Sequence, residues 1–556
     1  MLSIKKRLHA SIGIMLAALF CVPSLAQNAV DYRSTPLFTS SNNTPPMVML
    51  SMSSDHQLFF KAYNDFYDIN DDGIADLTYS KNIKYIGYFE SQTCYKYSSD
   101  VFEPDTSATA DYYCNQSASD QWSGNFLNWA SMTRIDVVRK ILYGGYRKSD
   151  TATETVLERT HLPNDAHSFA KYYNGTDLGK LSPFGNFKVG KNAVDSGVTF
   201  CNTTVDTTVG VRSHNSKEPP LIRAAKGNHS FWPAGERWQC LYSDEQPYSG
   251  TPSVNSDRGV FNSLGIYASH DAPSKNKEKI ADYIARVKAC TAKSNLVREG
   301  CVAYPDGNSK PIGILQKYGQ NGEILFGLMT GSYKKNKSGG VLRKNIGSIG
   351  DELNISTDGS IKKMSASGGI IKALNSLRLA NWSYQPASDS STEELGTYES
   401  DGCKWGLTDF NDGECTNWGN PFAEILLETY RYFAGQAPTL SYAADDSFVS
   451  PDLGVIKWQQ AVKEDNHCSN LNVLAFNSST ISYDGDNVDP TDIGASLIEL
   501  NRLTSELGRQ EGIAGGNYFV GKTYGFFNDE LCTAKRVTAL ASVRGTCPDA
   551  PRLKGS

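Results

Sequence analysis

Residues 46–52 read PMVMLSM, and whether this run is a strand or a piece of helix decides the fold. It is short, and it is entered from a polar stretch that holds Pro45. A helix would need a longer segment with apolar residues spaced near 3.6, whereas a short apolar run bounded by turn formers reads as a buried strand. ILFGLMT at 324–330 and LNVLAF at 471–476 have the same character. Strands of this kind suit a sheet covered on both faces.

The covering helices are legible too. From Asn125 to Tyr143, Leu127, Ala130, Ile135, Val138, Ile141 and Leu142 recur at roughly helical spacing, and Gly144 and Gly145 stop the run. From Pro421 to Ala434, Phe422, Ile425, Leu426, Tyr430 and Phe433 form one stripe. Asn420 reads as its N-cap. Pro421 takes the first helical position, where a missing N–H is no loss, and Gly435 terminates it. A third helix is expected from Asp492 to Leu507. Alternating strands and helices predict an α/β fold. Length alone would predict three or four domains. The periodic segments are few, however, and long stretches rich in Ser, Asn, Asp and Gly separate them, so we expect one decorated domain over 46–530.

The N-terminus sets the compartment. Lys5, Lys6 and Arg7 precede an apolar run from Ile12 to Val22, and Ser24 and Ala26 stand before a cut ahead of Gln27, the pattern of a secretory signal peptide over 1–26. Residues 27–45 then form a linker. Leu19 and Phe20 are too bulky for lipidation at Cys21. No later stretch reaches the roughly 20 apolar residues of a membrane span. Losing the three basic residues takes the formal charge from −6 to −9, which disfavours nucleic acid. The lysine groups 334, 335, 337 and 275, 277, 279 read as solvated faces. The eight histidines lack zinc-like spacing and no CxxC pair occurs. Nor do GxSxG, HExxH or a local Cys/His pairing, so an enzyme is not expected.

Twelve cysteines in an oxidising compartment point to disulfides. Close neighbours suggest Cys94 with Cys114, Cys201 with Cys240, Cys290 with Cys301, Cys403 with Cys415 and Cys532 with Cys547, leaving Cys468, although spacing does not fix connectivity. DINDDGIAD at 68–76 places Asp68, Asn70, Asp72 and Asp76 at positions one, three, five and nine of a calcium loop, with Gly73 at the turn and the Ile74 carbonyl as a further ligand. Position twelve is Tyr79, so water or Asp65 would have to complete the cage. Asp484 and Asp486 lack that register and read as a solvated loop.

Five segments carry a family resemblance: residues 47–79, GNFLNWASMTRIDVVRKILYGGYRK from 124, FGLMTGSYKKNKSGGVLRKNI from 326, WGNPFAEILLETYRYFAG from 418, and ELCTAKRVTALASVRGTCPDAP from 530. Together they resemble the N-terminal half of the PilC or PilY family, the tip-associated adhesin and biogenesis proteins of type IV pili. The resemblance implies a von Willebrand factor A-like doubly wound sheet with large, disulfide-stapled insertions, then a connector over 531–556 toward a C-terminal β-propeller that is absent here. It implies pilins or minor pilins and a host-cell or abiotic surface as partners. The implied location is secreted, through the periplasm to the pilus tip, outer membrane surface or cell surface. The other reading is a secreted A-domain-type binding module without a pilus role. In intact A domains a DxSxS motif, a Thr and an Asp hold a divalent ion. Here Ser51, Ser53 and Asp55 follow the first strand, Asn420 stands for the Thr and Asn477 for the Asp, a degenerate site for which no tight ion is expected. Calcium at 68–76 is the cofactor expectation.

Overall fold

The computed structural model describes residues 44–544 apart from internal segments, the longest being 243–278 and 385–401. The expected signal peptide, most of the linker, and residues 545–556 of the connector lie outside the described residues. From Pro45 onward the chain clusters as one unit.

Strands β1 (Met47–Met52), β2 (Leu325–Thr330), β3 (Val341–Gly347) and β4 (Leu471–Phe476) form one sheet in the order β3-β2-β1-β4. β1 runs parallel to both neighbours, pairing Met47 with Leu325 and Leu471, and Met52 with Thr330 and Phe476; β3 is antiparallel to β2. Side chains alternate across a strand, and here both sides are apolar. Leu50 and Met52 pack with Leu328, Ile135 and Ile371, whereas Met47 and Met49 pack with Met329, Leu342, Ile425 and Tyr432. PMVMLSM therefore shows no polar alternation because neither face meets water. Burying each such side chain contributes roughly 1.5–3 kcal/mol. β4 departs from expectation. It is an edge strand with Leu471 and Leu474 each 47% exposed, since among the described residues its one partner in the sheet is β1.

The helix expected over 125–143 is two helices, α1 (Gly124–Ser131) and α2 (Arg134–Tyr143), separated at Met132 and Thr133. Thr133 is the reason. Its backbone is extended, its hydroxyl accepts from the Asp136 amide, and it sits 2.6 Å from the Asp136 carboxylate, a side-chain cap strong enough to start a new helix. Gly144, at φ +92°, ends α2 as expected. Helix α3 (Phe422–Phe433) covers the Met47 face of the sheet, but its buried side is rotated from the predicted stripe. Ile425, Thr429 and Tyr432 are buried with Glu424 and Glu428, while Tyr430 is exposed. The two glutamates are tolerated inside because Glu424 accepts from the Asn487 amide and Glu428 from the amide and hydroxyl of Thr439. Helix α4 (Leu497–Gln510) is capped by Ser496 and continues past the expected end; residues 492–495 lie outside the described residues.

The chain between β1 and β2 supplies the strands of two further sheets. One has six strands in the order 121–123, 93–98, 101–107, 286–289, 155–158, 147–150; the other is antiparallel in the order 279–284, 221–226, 198–203, 169–173. They share an aromatic core that includes Tyr85, Trp122, Phe126, Trp129 and Phe200. The irregular segment 83–89 is held by α1. Asn125 bonds the Tyr85 amide and Ile83 carbonyl, and Asn128 bonds the Phe89 amide and the carbonyls of Tyr85 and Phe89, which satisfies buried backbone without a ladder. Four expected disulfides are present, 94–114, 201–240, 290–301 and 403–415, and Cys468 is an exposed thiol. Cys532 and Cys547 lie outside the described residues. The architecture is mixed α/β, with several sheets and no barrel among the described residues.

Candidate functional site

Parallel strands deliver their following loops to one edge of a sheet, and ligands in open α/β sheets bind outside those carboxyl ends. The turn after β1 and the loop after β4 meet there with the chain entering α3. Ser53 Oγ lies 2.9 Å from Ser478 Oγ and accepts from the Ser478 amide; Ser478 Oγ donates to Asp55 Oδ1 at 2.6 Å. Asp55 Oδ2 accepts from the Gln57 amide and so caps the turn 56–59. Asn420 Nδ2 donates to Asn477 Oδ1 and Ser479 Oγ, both at 2.8 Å. Ser51 turns instead into the seam under α3, 2.8 Å from Thr429 Oγ1. Thus Ser53, Asp55, Asn420 and Asn477, expected from three separate stretches, come together at one edge, with Ser51 just beneath.

Asn420 is not the N-cap of α3. Its backbone bridges to Ser482 and its side chain crosses to the β4 loop, and the orphan amide of Ala423 is taken by Asp484 Oδ1 at 2.5 Å. Asp484, expected as part of a solvated loop, is therefore a helix cap. The cluster holds one carboxylate, and both its oxygens already accept hydrogen bonds. Neutral groups bonded to one another do not fit a magnesium-type ion, which usually takes carboxylate ligands in octahedral array. Among the described residues no three His, Cys, Asp or Glu side chains converge closely enough to hold a metal.

An open cleft of about 400 Å³ lies over the cluster, lined by Asp55, His56, Trp418, Asn420, Ser479 and Tyr483 among others. His56 Nδ1 is 3.0 Å from His167 Nε2, and His167 Nδ1 is 2.9 Å from both oxygens of Asp165. Burial above all, with the nearby Arg134 guanidinium, holds the His56 imidazole down at about 3. Arg134 donates to the Ser478 carbonyl at 2.8 Å. The Trp418 ring lies 5.3 Å from that of His56. Trp418 is carried by a loop wound around Asn336, whose Nδ2 donates to the carbonyls of Glu414, Cys415 and Trp418 and whose Oδ1 accepts from the Gly413 amide. Gly419 lets that loop pass close: its φ is +95° and a Cβ there would run into the Asn336 carbonyl. Sequence reading missed His56, His167, Asp165, Trp418 and Asn336, because contacts between residues 111 or 82 positions apart leave no local spacing to find.

The acidic loop stands apart from this cluster, on the side of the inserted sheets. Tyr67 and Asp76 pair their backbones across its base. Asp68 accepts from the amides of Asp72 and Gly73, Asn70 Oδ1 from Asp72, Asp72 Oδ1 from Ile74, and Asp76 Oδ2 from Ile69. Gly73 takes φ +87°, as the sharp turn requires. The side-chain donors are oxygens on one tight turn, the type calcium takes. Asp65, considered as a completing ligand, is engaged elsewhere: it pairs at 2.6 Å with Lys171, a buried amine held down at about 8 by desolvation.

Two models of one family match the chain: the small alpha/beta domain of PilY1 homologs over residues 76–225 and the second domain of PilY1 homologs over residues 326–556. A type IV pilus biogenesis factor PilY1 homolog of Xylella fastidiosa (strain Temecula1) is 30% identical over 550 residues, covering 91% of this chain and 34% of that protein. The chain belongs to the PilY1-like family. Another Xylella fastidiosa protein of the same name is 30% identical over 291 residues, covering 49% of this chain and 19% of its own length. The chain thus spans about a third or less of the curated relatives it matches. No solved structure matches it. The small-domain match falls within the inserted sheets, and the second-domain match begins at Phe326 in β2 and takes in α3 and β4. β1, whose sheet partners β2 and β4 belong to the second region, lies in neither.

Proposed function

We propose that this chain acts by binding, in type IV pilus biogenesis and tip-associated adhesion, with the strand-end cleft as its contact surface. One observation carries the reading: Ser53, Asp55, Asn420 and Asn477 converge at the carboxyl edge of a parallel sheet, where a family of pilus-named proteins would present a degenerate A-domain site. The strand order β3-β2-β1-β4 and apolar packing on both sheet faces support the von Willebrand factor A-like reading. The contact is non-catalytic in this reading, with pilins or minor pilins on one side and a host-cell or abiotic surface on the other. The protein would be secreted through the periplasm to the pilus tip or cell surface. Among the described residues no helix is long and apolar enough to cross a membrane. Calcium belongs to the proposal as a brace: its binding would draw together Asp68, Asn70, Asp72, Asp76 and the Ile74 carbonyl, whose carboxylates are not gathered as a metal site in the structure, pinning the turn without chemistry. Deleting the gene is expected to reduce surface pili, twitching motility and attachment, restored by the intact chain in its native context. A deletion strain with normal piliation and normal attachment refutes the reading.

A further inference from the structure

The cleft presents an acceptor that the hydrogen-bonded cluster leaves unused. The Asp165 carboxylate is within 2.9 Å of His167 Nδ1 through both oxygens, so His167 carries a proton there, and with that ring neutral its Nε2 accepts. His56 Nδ1, 3.0 Å away, must then donate. A neutral imidazole holds one proton, so His56 Nε2 bears a lone pair, and no described residue donates to it. The relay fixes the tautomer of a residue that lines the cleft.

The rest of the lining narrows the ligand. Trp418, Phe410 and Tyr483 give aromatic surface, and Ser479, Ser482 and Asn420 give neutral polar groups. Charge argues against ions of either sign. Arg134 is close enough to disfavour a positive charge on His56, and the Lys337 amine sits 4.4 Å from the Tyr483 ring centre while donating to the Phe410 carbonyl; both oppose a cationic ligand. Asp55 opposes an anion. What remains is a neutral molecule with several hydroxyl donors and apolar C–H faces, small enough for about 400 Å³, near the low end of small-molecule pockets, roughly 300–1,000 Å³.

We propose that this cleft binds a neutral saccharide, with His56 Nε2 accepting from one of its hydroxyls and Trp418 and Tyr483 packing on its ring faces. This rests on the cleft being the contact surface. His167 is a positioning residue: it never touches the sugar but keeps the His56 lone pair aimed at it.

The test is saccharide binding by the purified full chain, on a printed array of neutral and charged oligosaccharides, followed by calorimetric titration of the hits and of free glucose, galactose, mannose and N-acetylglucosamine. Neutral saccharides are expected to bind, His56→Phe to weaken the best at least tenfold, and His167→Phe to weaken it severalfold. Imidazole nitrogen NMR reads the positioning role separately: His56 Nε2 is expected to be unprotonated in the natural chain and to become a tautomer mixture in His167→Phe. Tyr483→Ala, at the rim, serves if His56→Phe fails to fold. No retained neutral saccharide, or equal affinity in Tyr483→Ala and the natural chain, overturns the proposal. Either result leaves piliation and attachment in the deletion strain untouched, so failure here is distinguishable from failure of the pilus reading.

Discussion

Asp446→Ala is the most informative perturbation of the frame that holds the strand-end face. Asp446 and Arg343 are both 0% exposed. Asp446 Oδ1 accepts from Ser332 Oγ and from the amides of Tyr333 and Lys334, at 2.9–3.1 Å, and Oδ2 takes the Arg343 guanidinium. Arg343 also donates to Thr330 Oγ1 and to the carbonyls of Gly331 and Leu453. The pair therefore fastens the turn leaving β2 to β3 and to the segment around 446–453. Without the carboxylate a buried cation keeps only neutral acceptors, and breaking such a pair costs about 3–5 kcal/mol. Two buried amides lose their acceptor as well, at about 1–3 kcal/mol for each left unsatisfied. Since whole domains are stable by roughly 5–15 kcal/mol, the variant should be close to the edge of folding. The assay is urea denaturation with disulfides intact, on Asp446→Leu, Arg343→Met and the double variant alongside Asp446→Ala. Each single change should cost at least about 3 kcal/mol, and the double should cost about 2 kcal/mol less than their sum, because neighbours in one network couple. A loss under about 1 kcal/mol for Asp446→Ala, or strict additivity, refutes the reasoning.

Acid should destabilise the protein through His56. Its folded value of about 3 lies below the unfolded 6.5, so the unfolded chain binds the extra proton; this share of stability is complete above 6.5 and is lost as the pH falls from 6.5 toward 3. His56→Gln should flatten that part of the pH profile, and an unchanged slope counts against the burial argument. Glu352 has the opposite sign: desolvation raises it from 4.5 to about 7, so stability should fall as the pH rises from 4.5 to 7, and Glu352→Gln should remove that decline in melting temperature. Calcium titrated against thermal stability should raise the midpoint of the natural chain but not of an Asp68→Ala, Asp72→Ala variant; an identical response in both rules out the 68–76 loop. Gly419→Ala should cost about 1 kcal/mol or more from the left-handed φ and the Asn336 clash, with Trp418 fluorescence shifted; an unperturbed spectrum and midpoint would show that the loop has room.

Local patterns carried much of this structure. PMVMLSM, ILFGLMT and LNVLAF announced three parallel strands because run length and flanking turn formers are properties of a few adjacent residues. Gly144 and Gly435 marked helix ends for the same reason, and the four disulfides join cysteines 11 to 39 residues apart, within reach of a guess from spacing. The 326–346 and 418–435 segments also carried the family. What failed to show were choices made by distant partners. The break at Thr133 depends on a cap winning over continuous apolar spacing, and the buried side of α3 was set by Thr439 and Asn487 receiving its glutamates. Asp484, not Asn420, caps that helix because Asn420 is drawn to the end of β4.

The sequence by itself determined three strands of the central sheet, the spans of its main helices and which family the chain belongs to, since apolar period, turn chemistry and ordered motifs are all written along the chain. Only the tertiary structure decided that β1 is central and β4 an edge. It alone set His56 against His167 and Asp165 beneath Trp418, because a site assembled from loops hundreds of residues apart exists only once parallel strands have brought their ends to one edge.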